Sequence, residues 1–215
     1  RIISSALVHS GIFHIGMNML SLLQLGVDLE ESFGSLALLF ISAWAILLEG
    51  FIYVGTCVLL ASGYMTGNQS WLQYSGVGYS GVLFCYAIIG SYHSHVATRS
   101  FYGIMEVPSR LYPWLLLIVI QVVLPGISFL GHLSGILVGT LMVNGGTDWL
   151  LPSIALQKRL EETQSFGPVY RLSNWRRCQE RELKVSDAGF FSGILGAVVG
   201  LVSCVWTVLE AALHI

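Results

Sequence analysis

The stretch GYSGVLFCYAIIG, residues 78–90, places a polar serine, Ser80, at the start of an apolar segment that is long enough to enter a membrane. Farther along the chain, His132 takes a similar position in GHLSG, residues 131–135. Polar side chains inside lipid are energetically costly and tend to be kept where they serve a function. A serine and a histidine near the same ends of two spans are the groups that a nucleophile and its base require. The pattern therefore predicts hydrolysis inside a membrane.

The composition predicts a membrane protein. Of the 215 residues, 54% are hydrophobic and only 10% are charged, whereas soluble domains carry about 25% charged residues. A formal net charge of −2 gives no indication of nucleic-acid binding. The four cysteines show no C-x-x-C spacing, and three of them lie in apolar segments, so we interpret them as packing thiols. We expect neither a cofactor nor a metal, because His93 and His95 form a pair without an evident third ligand.

The distribution of apolar residues predicts an all-α, polytopic transmembrane helical bundle. Pro125-Gly126 separates two of the runs, because proline cannot continue a helix and glycine favours a turn. Spans need about 20 residues, and flanking residues can extend the shorter runs. Six helices are expected at residues 11–27, 36–60, 79–97, 111–124, 128–147 and 188–213.

The basic residues predict the orientation. Seven of the ten Lys and Arg lie between residues 158 and 184, and two more, Arg99 and Arg110, lie in the connection between the third and fourth spans. Six spans place both connections on one face, which the positive-inside rule makes cytosolic. We therefore expect segment 148–187 to be cytosolic, either as a solvated topology signal or as a surface for anionic headgroups.

The loop at residues 61–77 then lies on the opposite face and carries no charge. It contains Asn68-Gln69-Ser70, a glycosylation sequon on the side that a secretory-pathway protein would expose to modification. A chance tripeptide too close to the membrane is the alternative interpretation. The expected localisation is the endoplasmic reticulum or another secretory-pathway membrane.

The first apolar run supplies candidate hydrogen-bond donors. It begins within HSGIFHIGMNM, residues 9–19, where His14 and Asn18 are four residues apart and share one helix face. Both side chains can donate hydrogen bonds to an oxyanion that develops during acyl transfer. His9 lies just before this helix, and we expect it to brace the preceding loop.

Together these motifs resemble the rhomboid intramembrane serine proteases over about residues 1–147. The segment Leu25-Gly26 to Gly34-Ser35, with its glutamate Glu30, also fits the end of the family's second helix. Within the family, the chain looks most like the rhomboid-domain-containing branch of the endoplasmic reticulum. The motifs that match are H-x4-H-x3-N at His9, His14 and Asn18, G-x-S-G at Gly78 to Gly81, and the last-helix histidine His132 followed by Gly135 and Gly139.

The resemblance implies an incomplete family domain with an added segment. Arg1 stands where the family's first-loop arginine is expected, so the family's first transmembrane helix would be absent from residues 1–147. The basic segment 148–187 and an additional transmembrane helix at 188–213 have no counterpart in the resemblance. Small residues in the last helix suggest a helix–helix partner, within this chain or in another.

The resemblance also implies roles for individual residues. Ser80 is the expected nucleophile and His132 its base, in a dyad without an orienting carboxylate. His14, Asn18 and the Ser80 amide would hold the oxyanion. The supporting residues are His9, Gly78, Gly81 and Gly135, the last of these allowing close packing of the two helices. Many relatives carry tyrosine four residues after the serine, where this chain has Phe84.

Three functions remain open at this point. The first is a serine endopeptidase that cleaves single-span membrane proteins in the lipid bilayer. The second is a catalytically inactive rhomboid-like protein that binds membrane proteins for quality control. The third is a small transporter or channel, which the membrane histidines and Glu49 would suit. Glu49 itself is either a proton-relay group or a structural, hydrogen-bonded side chain.

Overall fold

The computed structural model describes residues 2–101, 103–163, 167–170 and 174–185. These residues are predominantly helical, which confirms the predicted helical bundle. The predicted span at 188–213 lies outside the described residues. The helices are α1 Ile2–Leu7, α2 Ile12–Phe33, α3 Ser35–Ala61, α4 Ser80–His93, α5 Tyr112–Val123, α6 Phe129–Val143, α7 Ile154–Glu162 and α8 Gly167–Tyr170, and the strands are β1 Thr98–Phe101 and β2 Met105–Pro108.

Helices α2 and α3 are long and apolar enough to cross a bilayer, with 22 and 27 residues. Within the described part of the chain, these two qualify individually, and α6 qualifies together with the segment that follows it, across a bend of 88°. Helices α4 and α5 have only 14 and 12 residues. The sequence therefore overestimated the lengths of several predicted spans, because an apolar run continues through the turns at its ends.

The central helix of the bundle is α4, in which ten of 14 residues are buried. A helix that is apolar on all sides is expected to be surrounded by protein. Its neighbours are α2, α3 and α6, and the core residues Val82, Ile88, Ile136 and Val138 are fully buried. The residue that begins α4 is thus fixed by three surrounding helices.

A short β-hairpin lies in the connection between the predicted third and fourth spans. After His93 the chain leaves the helix, and strands β1 and β2 pair antiparallel from Thr98–Pro108 to Phe101–Met105. Gly103, with φ of +74°, forms the turn. Phe101 packs with Val107 beneath α5. The sequence predicted only a connection between two spans for these residues, because pairing between two four-residue strands produces no long alternating pattern.

Residues 174–185, here called the strap, cross the bundle at the end where α2, α4 and α6 finish. The Ser35 amide donates to the Arg176 carbonyl at 2.9 Å, and the Arg176 amide donates to Ser35 Oγ at 2.8 Å. Farther along, the Val185 amide donates to the carbonyl of Val143 at 2.9 Å. This part of the basic segment therefore packs against the helix ends. Its charge alone predicted a solvated face.

Candidate active site

Ser80 and His132 lie together at the end of the bundle opposite the strap. Ser80 is the first residue of α4 and His132 is in the first turn of α6. Ser80 Oγ is 2.8 Å from His132 Nε2, which is within hydrogen-bond distance. His132 is only 4% exposed, whereas Ser80 is half-buried. The geometry is that of a hydroxyl beside a base.

Glycines bring the two helices close enough for this contact. A Cβ atom on Gly135 would overlap the carbonyl group of Gly81. One turn farther along, a Cβ on Gly139 would lie 2.8 Å from the carbonyl oxygen of Cys85 and 2.9 Å from the Cβ of Ile88. Small residues at this spacing let two backbones approach each other. The contact between α4 and α6 therefore sets the distance between Ser80 and His132.

Phe84 fixes the plane of the imidazole. Its ring centroid is 4.7 Å from that of His132, with an angle of 33° between the planes. Phe84 follows Ser80 by one helical turn, so the serine and the packing ring come from the same face of α4. His132 Nδ1 is buried and has no hydrogen-bond partner among the described residues. Packing against Phe84 thus orients the imidazole, a role that a carboxylate has in a Ser-His-Asp triad.

Gly78 places His14 beside the backbone that leads into Ser80. Its φ is +114°, a conformation that side-chain-bearing residues rarely adopt. A Cβ on Gly78 would lie 2.6 Å from Cε1 and 2.8 Å from Nε2 of His14. The Gly78 amide also donates to the Ser5 carbonyl at 2.9 Å, which ties this turn to α1. Gly78 is therefore required for both its conformation and its lack of a side chain.

Asn18 is buried one turn after His14, with 4% exposure. Its Nδ2 donates to the His14 carbonyl at 2.7 Å, so the side chain folds back on its own helix. An amide nitrogen carries two hydrogens, and this bond uses one of them. His9 packs edge-to-face on His14, with ring centroids 5.2 Å apart. His9 thus contacts the His14 ring directly, whereas the sequence indicated only a brace for the loop.

A tyrosine pair beside the serine was missed from the sequence. Tyr79 OH lies 3.1 Å from Tyr86 OH, which lies 2.5 Å from Ser42 Oγ on α3. The residue immediately before Ser80 is therefore linked through two hydroxyls to a neighbouring helix. The sequence did contain a signal for this pair, because tyrosines seven residues apart lie on one face of a helix. His93, which the sequence pairs with His95 without a third ligand, has its ring nitrogens 2.9 Å from the Ile89 carbonyl and 3.2 Å from the Glu182 carbonyl.

Comparison with known proteins gives a family match. The model of the rhomboid domain matches residues 1–146. Rhomboid-like protein 15 of Arabidopsis thaliana is 30% identical over 184 residues, which are 83% of this chain and 44% of that protein. Rhomboid-related protein 4 of Rattus norvegicus is 35% identical over 147 residues, 67% of this chain and 45% of that protein. No solved structure matches the chain at a significant level.

Some relatives carry names that state an activity. Rhomboid-type serine protease 2 of Debaryomyces hansenii is 35% identical over 82 residues, which cover 35% of this chain and 29% of that protein. A protein of the same name from Gibberella zeae is 26% identical over 155 residues. The chain spans less than half the length of the Arabidopsis and rat relatives it matches.

Proposed function

The chain belongs to the rhomboid family, and we propose that it is an intramembrane serine endopeptidase acting through Ser80 and His132. The observation that carries this proposal is the 2.8 Å distance between Ser80 Oγ and His132 Nε2. This contact joins two side chains that are 52 residues apart in the sequence, on two helices that pack together through glycines.

The reaction follows from this contact. His132 Nε2 accepts the Ser80 proton as Oγ attacks the peptide carbonyl carbon, and the C=O electron pair moves to oxygen. When the tetrahedral intermediate collapses, the C–N bond breaks and His132 gives its proton to the leaving amine. Water then attacks the acyl-enzyme, again losing a proton to His132. Ser80 regains its hydrogen and a carboxylic acid is released.

The oxyanion would be held by donors around Gly78. The Ser80 amide is at the start of α4, where helix amides have no intrahelical partner. His14 lies against Gly78, and among the described residues only one of the two hydrogens on Asn18 Nδ2 is used, in the bond to the His14 carbonyl. In other enzymes, removing one such donor lowers kcat by about a hundredfold to a thousandfold.

The membrane setting defines the substrates in this proposal. The length and apolar character of α2 and α3 support a site within or near the bilayer. Substrates are single-span membrane proteins cleaved in or beside their transmembrane segments. The proposed location is the endoplasmic reticulum or another secretory membrane. The positive-inside rule, applied to the basic residues, supports a cytosolic position for segment 148–187.

A fluorophosphonate probe tests the proposal in membranes. The wild-type protein is expected to label, and Ser80→Ala and His132→Ala are each expected to abolish labelling. Ser91→Ala is the matched control, because Ser91 is a buried serine of the same helix whose hydroxyl bonds the Ile88 carbonyl. A folded wild-type protein that never labels would instead favour the inactive, membrane-protein-binding rhomboid.

A further inference from the structure

The loop between α3 and α4 carries Asn68-Gln69-Ser70, the acceptor pattern of N-linked glycosylation. It is the only such tripeptide in the chain, because none of the other three asparagines is followed by serine or threonine two positions later. The alternative is a chance tripeptide that lies too close to the membrane for modification. What separates the two is the distance of Asn68 from the apolar part of the bundle.

Helix α3 extends well beyond the level of Ser80. The Glu49 carboxyl lies against Gly81, since a Cβ atom on Gly81 would be only 2.6 Å from Glu49 Oε2. From Glu49 the helix continues to Ala61, a rise of about 18 Å. Over its 27 residues α3 measures about 40 Å, whereas the hydrocarbon core of a bilayer is about 30 Å thick. The helix is thus long enough to carry its Ala61 end out of the apolar core, on the Ser80 side of the bundle.

Hydrogen bonds hold the residues around Asn68 at this outer end. The Gln69 side chain donates from Nε2 to the Ala61 carbonyl at 3.1 Å, and the Thr66 hydroxyl donates to the Leu60 carbonyl at 2.6 Å. Both acceptors are carbonyls in the last turn of α3, where a helix leaves its carbonyls without an intrahelical partner. Asn68, between these two anchors, therefore stays at the level of the helix end.

The side chain of Asn68 has the nitrogen that glycosylation requires. Asn68 and Ser70 are both exposed. Asn68 Oδ1 accepts a hydrogen bond from the Ser70 amide at 3.0 Å, and Asn68 Nδ2 donates to no described residue. Both hydrogens of this nitrogen are therefore unused within the described part of the chain. The sequon combines an accessible nitrogen with a position at the outer end of α3.

We propose that Asn68 is an N-glycosylation site. The donor is an oligosaccharide linked to a lipid diphosphate, and a membrane-bound glycosyltransferase catalyses the transfer. Asn68 Nδ2 attacks the anomeric carbon and loses one proton. As the new C–N bond forms, the bond from this carbon to the phosphate oxygen breaks, and the lipid diphosphate leaves with the electron pair. The inference rests on the secretory location in the proposed function and does not depend on the chemistry of Ser80.

Glycosidase treatment of the full chain, expressed in a eukaryotic cell, tests the site. The wild-type protein should give a slower-migrating band on a gel, which an N-glycosidase removes while it converts Asn68 to aspartate, as mass spectrometry can detect. Asn68→Gln and Ser70→Ala should each lose this band. Ser70→Thr is the matched control, because it keeps the hydroxyl of the sequon and should keep the band. A band that persists in Asn68→Gln would refute the site.

A second acceptor in the strap checks the orientation. Arg176→Thr completes a sequon at Asn174, in the segment for which the proposed orientation is cytosolic. Combined with Asn68→Gln, this substitution should give no glycosidase-sensitive band. A band from Asn174, with none from Asn68 in the wild type, would mean that the orientation is inverted and would overturn the inference.

Failure of the site and failure of the protease proposal give different results. A wild type that labels with fluorophosphonate but carries no glycosidase-sensitive band would refute the glycosylation site and leave the protease standing. A glycosylated wild type that never labels would refute the protease and leave the site standing. Ser80→Ala should be glycosylated like the wild type.

Discussion

The two ends of the bundle are held together by different interactions. At the Ser80 end, α4 and α6 meet through Gly81 and Gly135, where backbone lies against backbone with no space for a side chain. At the other end, the strap connects the helix termini by hydrogen bonds, such as that from Arg181 Nη2 to the His93 carbonyl at 2.8 Å. Close packing fixes the positions of the packed groups, whereas hydrogen bonds between a crossing segment and helix ends mainly add stability. Substitutions at the first end should change reactivity, and those at the second should change stability.

The largest effect is expected from Gly135→Ala. The added methyl group would overlap the Gly81 carbonyl and push α4 away from α6. A displacement of about 1 Å can cost a hundredfold in rate, so we expect fluorophosphonate labelling to fall by about that factor or more. The control is Gly90→Ala, since a Cβ at Gly90 of α4 meets no atom within 4 Å. Near-normal labelling of Gly135→Ala would show that close packing does not set the reactive distance.

Gly78→Ala should have the next largest effect. It imposes an unfavourable positive φ and a collision with the His14 ring. We expect labelling to slow by about tenfold, because left-handed backbone costs about 1–2 kcal/mol and the donor beside it is displaced. Gly67→Ala is the control for the cost of a positive φ without a collision, because Gly67 has φ of +65° and a Cβ there would have no atom within 4 Å. If both variants label alike, the contact with His14 has no role.

The smallest effect on reactivity is expected at the strap. Ser35→Ala removes the acceptor for the Arg176 amide and the hydroxyl that donates to Glu30. Net losses of about 1 kcal/mol per hydrogen bond should lower the thermal midpoint by a few degrees. Labelling of Ser80 should stay at the wild-type rate. A loss of labelling as large as that of Gly78→Ala would mean that the two ends are coupled. It would refute the assignment of reactivity to one end and stability to the other.

The sequence predicted the helical bundle and the residues that the structure brings together at its Ser80 end. Ser80, His132 and His14 could be found because each belongs to a local motif with fixed spacing on one helix. The hairpin and the strap could not, since both depend on backbone pairing between segments whose side chains give no periodic signal. Glu49 had no assignable role because its neighbour, Gly81, is on another helix.

His132 Nδ1 has no hydrogen-bond partner in the described part of the chain, which affects which ring nitrogen carries the proton at rest. Only the tautomer with its hydrogen on Nδ1 leaves Nε2 free to accept from Ser80, and that tautomer buries an N–H group without an acceptor. Such a group costs about 1–3 kcal/mol. The other tautomer puts its hydrogen on Nε2, donates to Ser80 and cannot act as a base. The Nδ1 lone pair of this second tautomer is also buried without a partner among the described residues, so its cost is similar. If Ser80 is the nucleophile, turnover therefore starts only from the fraction of molecules that carry the proton on Nδ1.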